Sequence, residues 1–460
     1  MALVAAACGR SGDSTATATT AVPATTAATG STAATPTTAA DKCKSEALKA
    51  TEVGVSETEI NVEVMADTGS ALAPGLFQGN IDALNAYAKY VNAKFGGVGC
   101  RKLVVKTWDS KLDPNESKNG LIDSCKNALA MVGGNALFNP DVTPMTGCVD
   151  KAGTATGLPD IAALANDINE QCGKTTYVIQ AVTENCPVTQ GQPRTTTQIV
   201  GPTNYYLKTN PGLHGLFMVP GDLPTTVQSA TFLIAAQEKG GVKFDAGVTK
   251  VSGRDEQSAF TPRVQALKSV SGNFVYNGSN DVAMIKMRKE AKAQGLDSVK
   301  VWACSLACYT KNMTASGGAD VEGTYVWMQF LPFEEADSNT ELKAYIDSVG
   351  ADKVDSFGAQ AWQAAAAFRQ VVNGIVAKSG PNAITRSAIL TDLAALKDFD
   401  ANGWTGKKSL RGVSNCFLVM QVQSGKFVRS YPAEKGKMDC QDTNITTVTL
   451  DPAAEAAKIK

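Results

Sequence analysis

A single histidine, His214, is all the imidazole this 460-residue chain contains. That excludes HExxH-type zinc sites and any site that needs two imidazoles, and no metal centre is expected. Charge of one sign is also missing: Lys+Arg number 43 against 44 Asp+Glu, and no basic block occurs anywhere. So even a balance gives no counter-ion-releasing surface for phosphates, and nucleic-acid binding is not expected. No run of about 18 apolar residues is present, which excludes a spanning helix. Enzyme signatures are absent as well. There is no GxSxG elbow, no Walker A and no GxGxxG, and Gly97-Val98-Gly99 precedes a strand without a third glycine. Neither a cofactor nor an enzymatic activity is expected.

Cysteine is present and unevenly placed. Cys8 stands alone at the end of an apolar run, and the other ten lie between Cys43 and Cys440. An even set without CxxC or Cys/His spacing fits disulfides, which persist in oxidising compartments, so the chain reads as exported. Sequence does not fix connectivity. Near neighbours would pair as Cys125 with Cys148, Cys172 with Cys186, Cys304 with Cys308 and Cys416 with Cys440, leaving Cys43 and Cys100 as the remainder. A redox role for Cys304 and Cys308 would need an activated thiolate, and CxxxC spacing lacks the usual helix-start motif.

Residues 1–8 look like the end of a bacterial lipoprotein signal: an apolar stretch, small residues, then Cys8 as the thiol to be lipidated. No charged n-region precedes them, so the chain is expected to start inside its signal peptide. From Ser14 to Ala40 no charged or aromatic residue occurs, and nothing there can offset the cost of ordering the chain. Residues 9–42 are therefore expected to be a disordered Thr/Ala-rich tether holding a folded body at the cell membrane.

Beyond Glu52 strands and helices alternate. Ile60 to Val64 has the period of a strand, and Phe77, Ile81, Leu84, Ala88, Val91 and Phe95 form one helical stripe ending at Gly96-Gly97. Leu103-Val104-Val105 is a strand, Asp113-Pro114-Asn115 opens a helix, and a further helix is expected around Val149. The alternation restarts after a crossing near Tyr205 to Leu213. Phe357, Ala361, Ala364, Phe368, Val371 and Ile375 mark a long helix, and Phe417 to Val422 with Lys426 to Arg429 make a closing hairpin. Repeated βαβ units imply α/β architecture with two doubly wound open sheets, and ligands in such sheets sit beyond the carboxyl ends of strands.

Several segments resemble a known family. They are Thr68-Gly69-Ser70-Ala71-Leu72-Ala73-Pro74-Gly75-Leu76-Phe77-Gln78-Gly79, Gly96-Gly97-Val98-Gly99-Cys100-Arg101-Lys102-Leu103 and Trp108-Asp109-Ser110-Lys111-Leu112-Asp113-Pro114. With Phe260-Thr261-Pro262, Phe274-Val275-Tyr276-Asn277-Gly278, Val321-Glu322-Gly323-Thr324 and Leu410-Arg411-Gly412, they are similar, in order, to type I periplasmic binding proteins. These are the receptors of the branched-chain amino-acid (Leu/Ile/Val) uptake group of ABC transporters. The resemblance implies two lobes joined by three crossovers, a small-molecule ligand enclosed on closure, an ABC permease as partner and a monomeric receptor. Lobe one would hold residues 43–208 and about 331–412, lobe two 209–330 and about 413–445, with 446–460 as a tail. An extracytoplasmic ligand sensor signalling to a membrane partner is the alternative.

The resemblance also implies where the ligand sits. Lobe one would offer Asn135-Ala136-Leu137 and Ala163-Leu164-Ala165-Asn166, with Thr68 and Phe77 close by. Lobe two would offer Asp222, Ser279, Asn280, the Cys304-Ser305-Leu306 turn and Trp327. Amino-acid receptors of the family keep Ser and Thr at the lobe-one turns; this chain does not, so their specificity does not carry over. Asp222 in Gly221-Asp222-Leu223-Pro224 is either a ligand acceptor or a turn residue, Asn135 a ligand donor or a helix cap, and Phe77 core or ligand wall. His214, beside Pro211-Gly212, reads as a surface or hinge residue.

Overall fold

The computed structural model describes residues 42–71, 74–181, 186, 192–222 and 224–459. Cys8, the signal remnant, the tether up to residue 41, Leu72-Ala73 and Leu223 lie outside the described residues.

Among the described residues the strands form three sheets. The first contains β1 (Glu59–Ala66), β2 (Lys102–Asp109), β3 (Ala130–Val132), β4 (Asp160–Ala162) and β5 (Thr176–Val178). They run parallel in the order β2-β1-β3-β4-β5. β6 (Arg194–Ile199) pairs antiparallel with β14 (Ile445–Leu450) as a separate ribbon. The second large sheet has the order β13-β12-β11-β10-β9-β7-β8. Its parallel part is β7 (His214–Pro220), β8 (Lys243–Val251), β9 (Phe274–Asn277), β10 (Val301–Cys304) and β11 (Tyr325–Met328). The hairpin β12 (Leu418–Gln423) and β13 (Lys426–Tyr431) joins it antiparallel. The chain thus passes between the large sheets three times: after Val178, after Met328 and before Leu418.

Helices explain why central strands are buried on both faces. In β1 the expected alternation gives way to burial of every residue from Val62 to Ala66. The helix Gln78–Phe95 lays Leu84, Ala88 and Val91 on the sheet, and Gly96 ends it with φ 74°, its N–H returning to the Val91 carbonyl. The long helix Ser356–Ser379 packs alongside; its Trp362 meets the Tyr87 ring edge-on at 4.8 Å. Asp355 caps it by accepting from the Gly358 N–H at 2.7 Å.

Three local expectations change. Phe95 is 46% exposed at the end of its stripe, with the Arg369 guanidinium over its ring and Tyr90 against its edge. The helix expected around Val149 is a single helical turn, Thr143–Thr146, and Val149 is exposed in the loop behind it. Residues 446–460, expected to be a tail, carry most of β14 and the helix Pro452–Ala457.

The disulfides join the pairs expected from spacing. Cys43 is bonded to Cys100, Cys125 to Cys148 and Cys172 to Cys186. Cys304 is bonded to Cys308, and Cys416 to Cys440. The bond between Cys304 and Cys308 closes a loop only four residues long at the end of β10, so it shapes a local turn. The bond between Cys125 and Cys148 is buttressed from inside. Arg386 is wholly buried beside it, donating to the carbonyls of Cys125, Ala128 and Val149.

Candidate ligand cleft

Both large sheets reverse their strand order beside the first strand of each, between β1 and β3 and between β7 and β9. At such a switch the loops leaving the carboxyl ends diverge and leave a crevice. On the first sheet that crevice is organised by Asp67, directly after β1 and fully buried. Its Oδ1 accepts from Ser110 Oγ and the Leu112 N–H, both at 2.7 Å, and its Oδ2 accepts from the Leu137 N–H at 2.8 Å. One carboxylate therefore ties together the loops after β1, β2 and β3 and aims Leu112 and Leu137 outward. Asp109 does similar work nearby: burial raises its pKa, but the N–H groups of Gly69, Thr68 and Lys111 on its Oδ1 outweigh that and hold it below the usual range.

On the second sheet, Pro220 and Asp222 leave β7, and Gly278-Ser279-Asn280 leave β9. Asn280 caps the helix Asp281–Ala293, its Oδ1 accepting from the Ala283 N–H at 3.0 Å. Asp281 is engaged by Thr310 Oγ1 at 2.5 Å and Asn312 Nδ2 at 3.0 Å. Trp327 lies on β11 with its Nε1–H donating to the Tyr276 hydroxyl at 2.8 Å.

Between these loops is a cavity of about 720 Å³, within the size range of small-molecule sites. Its first-sheet wall is almost wholly apolar: Leu76, Phe77, Leu112, Leu137, Leu164 and Phe357, with Asn166 and Gln180 as the polar exceptions. Phe77 and Phe357 meet edge-on at 4.9 Å. The opposite wall mixes Phe217, Leu233, Leu306 and Trp327 with Ser229, Ser252, Ser279, Asn280 and Ser305. The charge pair there, Arg254 with Asp222 at 2.8 Å, is solvent-exposed on both sides. Exposed pairs contribute about 0–1 kcal/mol, so this one marks a rim rather than an anchor.

Of the residues expected at the cleft, Phe77, Leu137, Leu164, Asn166, Asp222, Ser279, Asn280 and Trp327 come together on its wall. Thr68, Asn135, Ala136 and Ala163 stand outside it. Ala136 packs among Met65, Met131 and Met145, and Ala163 is sealed in the core beneath the first sheet. Asn135 is 1% exposed and caps no helix; its backbone bridges to Ala66, and its side-chain atoms find no partner in the protein. Thr68 is half-buried, its N–H held by Asp109. Phe77, open between core and wall, is both. Of the turn that follows β10, Ser305 and Leu306 reach the wall, whereas Cys304 and its partner Cys308 are wholly buried behind it. His214 starts β7, at the strand end away from the carboxyl-end loops, with Nδ1 2.9 Å from Asp245 Oδ2. Leu112, Gln180, Leu233, Arg254 and Phe357 were not anticipated. For Leu112 the carboxyl-end rule would have sufficed, since it follows β2 by three residues.

A family model described as periplasmic binding protein matches residues 59–426. No curated protein sequence matches the chain. Solved structures share the fold at low identity. A leucine binding protein from Thermotoga maritima is 13% identical, with a TM-score of 0.58 over 80% of this chain and 97% of that one. A fatty acid ABC transporter substrate-binding protein from Thermomonospora curvata is 16% identical, at 0.60 over 85% and 94%. An ABC transporter substrate binding protein from Aeropyrum pernix is 10% identical, at 0.64 over 88% and 100%.

Proposed function

This chain belongs to the periplasmic binding protein family, and from that premise we propose that it is an extracytoplasmic receptor delivering a small organic molecule with a largely apolar body to an ABC permease. The observation that carries the ligand class is the first-sheet wall. At the two turns where hydroxyl side chains would grip a zwitterion, Leu137 and Leu164 face the cavity, and Leu76, Phe77 and Leu112 extend the apolar surface. Burying apolar ligand surface against them is favourable by about 25 cal/mol per Å², whereas a charged group placed there without donors is strongly penalised. That two relatives of the same fold bear the names leucine binding and fatty acid substrate-binding shows how widely one scaffold varies its ligand.

Closure follows from thermodynamics. A ligand touching both walls favours the closed form only by its differential affinity, and the permease would read that form. A thermal-shift panel of zwitterionic amino acids, sugars, and apolar acids and alcohols tests the ligand class. Apolar-bodied compounds should raise Tm by mass action; stabilisation by amino acids or sugars alone would refute the proposal.

Anchoring at Cys8 belongs to the same proposal, supported by the small residues before it and the uncharged stretch from Ser14 to Ala40. Expressed behind a complete export signal, the protein should sediment with membranes, and Cys8→Ala should release it. A freely soluble wild type with unmodified Cys8 would sink the anchor but not the receptor.

A further inference from the structure

The three chain passages between the large sheets are tied together around one buried lysine. Lys408 lies on the third passage, bridged to Phe399, and is 8% exposed. Its ammonium donates to the carbonyl of Ile179, on the first passage. The second passage is tied to the third close by, through Thr405 Oγ1 donating to the Gln329 carbonyl at 2.7 Å and Gln329 Nε2 to the Ser414 carbonyl at 3.1 Å. Among the described residues no carboxylate forms an ion pair with Lys408, and burial pushes its pKa down to about 8. Buried charges are ordinarily paired. This one has a backbone carbonyl and nothing of opposite charge.

One side of its surroundings is polar and incompletely bonded. A small cavity of about 20 Å³, room for one water-sized group, has Lys408, Gln360, Gln363 and Thr405 on that side and Ile179, Met328 and Phe330 among its apolar lining. Gln360 donates to Gln180 Oε1 at 2.5 Å, yet its own Oε1 has no partner in the protein, and neither does Gln363 Nε2. Both glutamines are almost fully buried. Buried polar groups are normally satisfied, so one unpaired amide donor, Gln363 Nε2, beside an ammonium that has no counter-charge points to an acceptor that enters from outside. The route is the ligand cleft itself: Gln180, Leu306, Trp327 and Gln329 line both the small cavity and the large one.

We propose that Lys408 and Gln363 form a head-group subsite for one carboxylate oxygen of the ligand, whose apolar body lies in the large cavity. The ligand class is then a monoanionic organic acid with an apolar body and no ammonium, a deepening that rests on the receptor reading above. Because Lys408 ties the third passage to the first, beside the bonds that tie the third to the second, engaging it would also couple the ligand's charge to lobe closure.

Calorimetry on the full chain with matched pairs tests this: decanoate against 1-decanol, and 3-phenylpropionate against 3-phenylpropanol. In at least one pair the acid should bind about tenfold or more tighter than the alcohol, the size of a charge-assisted hydrogen bond. Lys408→Met should erase that preference while retaining alcohol binding, and Lys408→Gln, closer in polarity should the first variant fold poorly, should reduce it. Alcohols that bind as well as acids to the wild type would overturn the head-group subsite and leave the apolar receptor standing. An acid preference that persists in both variants would do the same. If neither pair binds, both readings fall.

Discussion

Trp327 Nε1 donates to the Tyr276 hydroxyl at 2.8 Å across the intervening strand β10, since β11 and β9 both flank it. The bond fixes the indole plane against the cleft and uses the one polar atom a buried tryptophan must satisfy. Tyr276 in turn stacks on Phe217 at 4.8 Å, so the wall has a second layer of aromatic support.

From this arrangement Trp327 is expected to report binding. It is the only one of the five tryptophans on the cavity wall, so a ligand should change its emission, and Trp327→Phe should abolish that change. Tyr276→Phe leaves the buried indole N–H unpaired, costing about 1–3 kcal/mol in denaturant unfolding. An unfolding midpoint equal to wild type would show that the bond carries no stability.

Asp67 should matter more to the site than its distance from the ligand suggests. Asp67→Ala removes the acceptor of two backbone N–H groups and one hydroxyl, freeing the loops that carry Leu112 and Leu137. A loss of about 3 kcal/mol or more in stability is expected, together with weakened ligand binding. Unchanged affinity in a folded variant would mean the two loops hold themselves.

How much of this was visible in the chain depended on locality. Strands and helices with a strong apolar period, such as Ile60 to Val64 and the stripe through Leu84, Ala88 and Val91, could be read directly. The ribbon β6/β14 could not: Arg194-Thr195-Thr196-Thr197-Gln198-Ile199 and Ile445-Thr446-Thr447-Val448-Thr449-Leu450 are too polar to show an apolar period, though rich in β-branched residues. At the site, loops after strands located Leu137, Asp222 and Ser279. They misled at Ala136 and Ala163, each one position from a wall residue and turned to the opposite side, and at Asn135, which is still paired with Ala66 at the sheet and buried there. Lys408 was illegible, since Ile179, Gln360 and Gln363 come from separate segments and only the folded crossings bring them to it.

Leucine, isoleucine and valine should bind weakly, with Kd no tighter than about millimolar, or not at all. Their ammonium would enter a cleft whose acidic groups are already engaged, Asp222 by Arg254 and Asp281 by Thr310 and Asn312. The apolar first-sheet wall offers that charge no side-chain acceptor beyond Asn166 and Gln180, and Gln180 Oε1 already accepts from Gln360. Micromolar binding of any of the three in a calorimeter would show that losing the turn hydroxyls does not remove amino-acid recognition, while the receptor assignment would stand.

Stability should also depend on pH through Glu63, in the middle of β1. Burial pushes its pKa up from 4.5 to about 7, against the opposing pull of the Ser124 hydroxyl and with the nearby Asp123 adding to the rise. The sign follows from proton counting. Below about pH 4.5 both folded and unfolded states hold the proton, and the group contributes nothing. Between there and about pH 7 the folded state keeps a proton that the unfolded state has released, so stability falls as pH rises; above pH 7 the penalty is complete. Glu63→Gln removes the charge and with it the slope. Asp160, also raised to about 7 by burial, tilts the wild-type curve in the same direction, so the informative quantity is the difference between variant and wild type. That difference should grow by about 2–3 kcal/mol in favour of Glu63→Gln between pH 4 and pH 8. A difference that stays level over this range would mean that Glu63 titrates normally and is solvated despite its position.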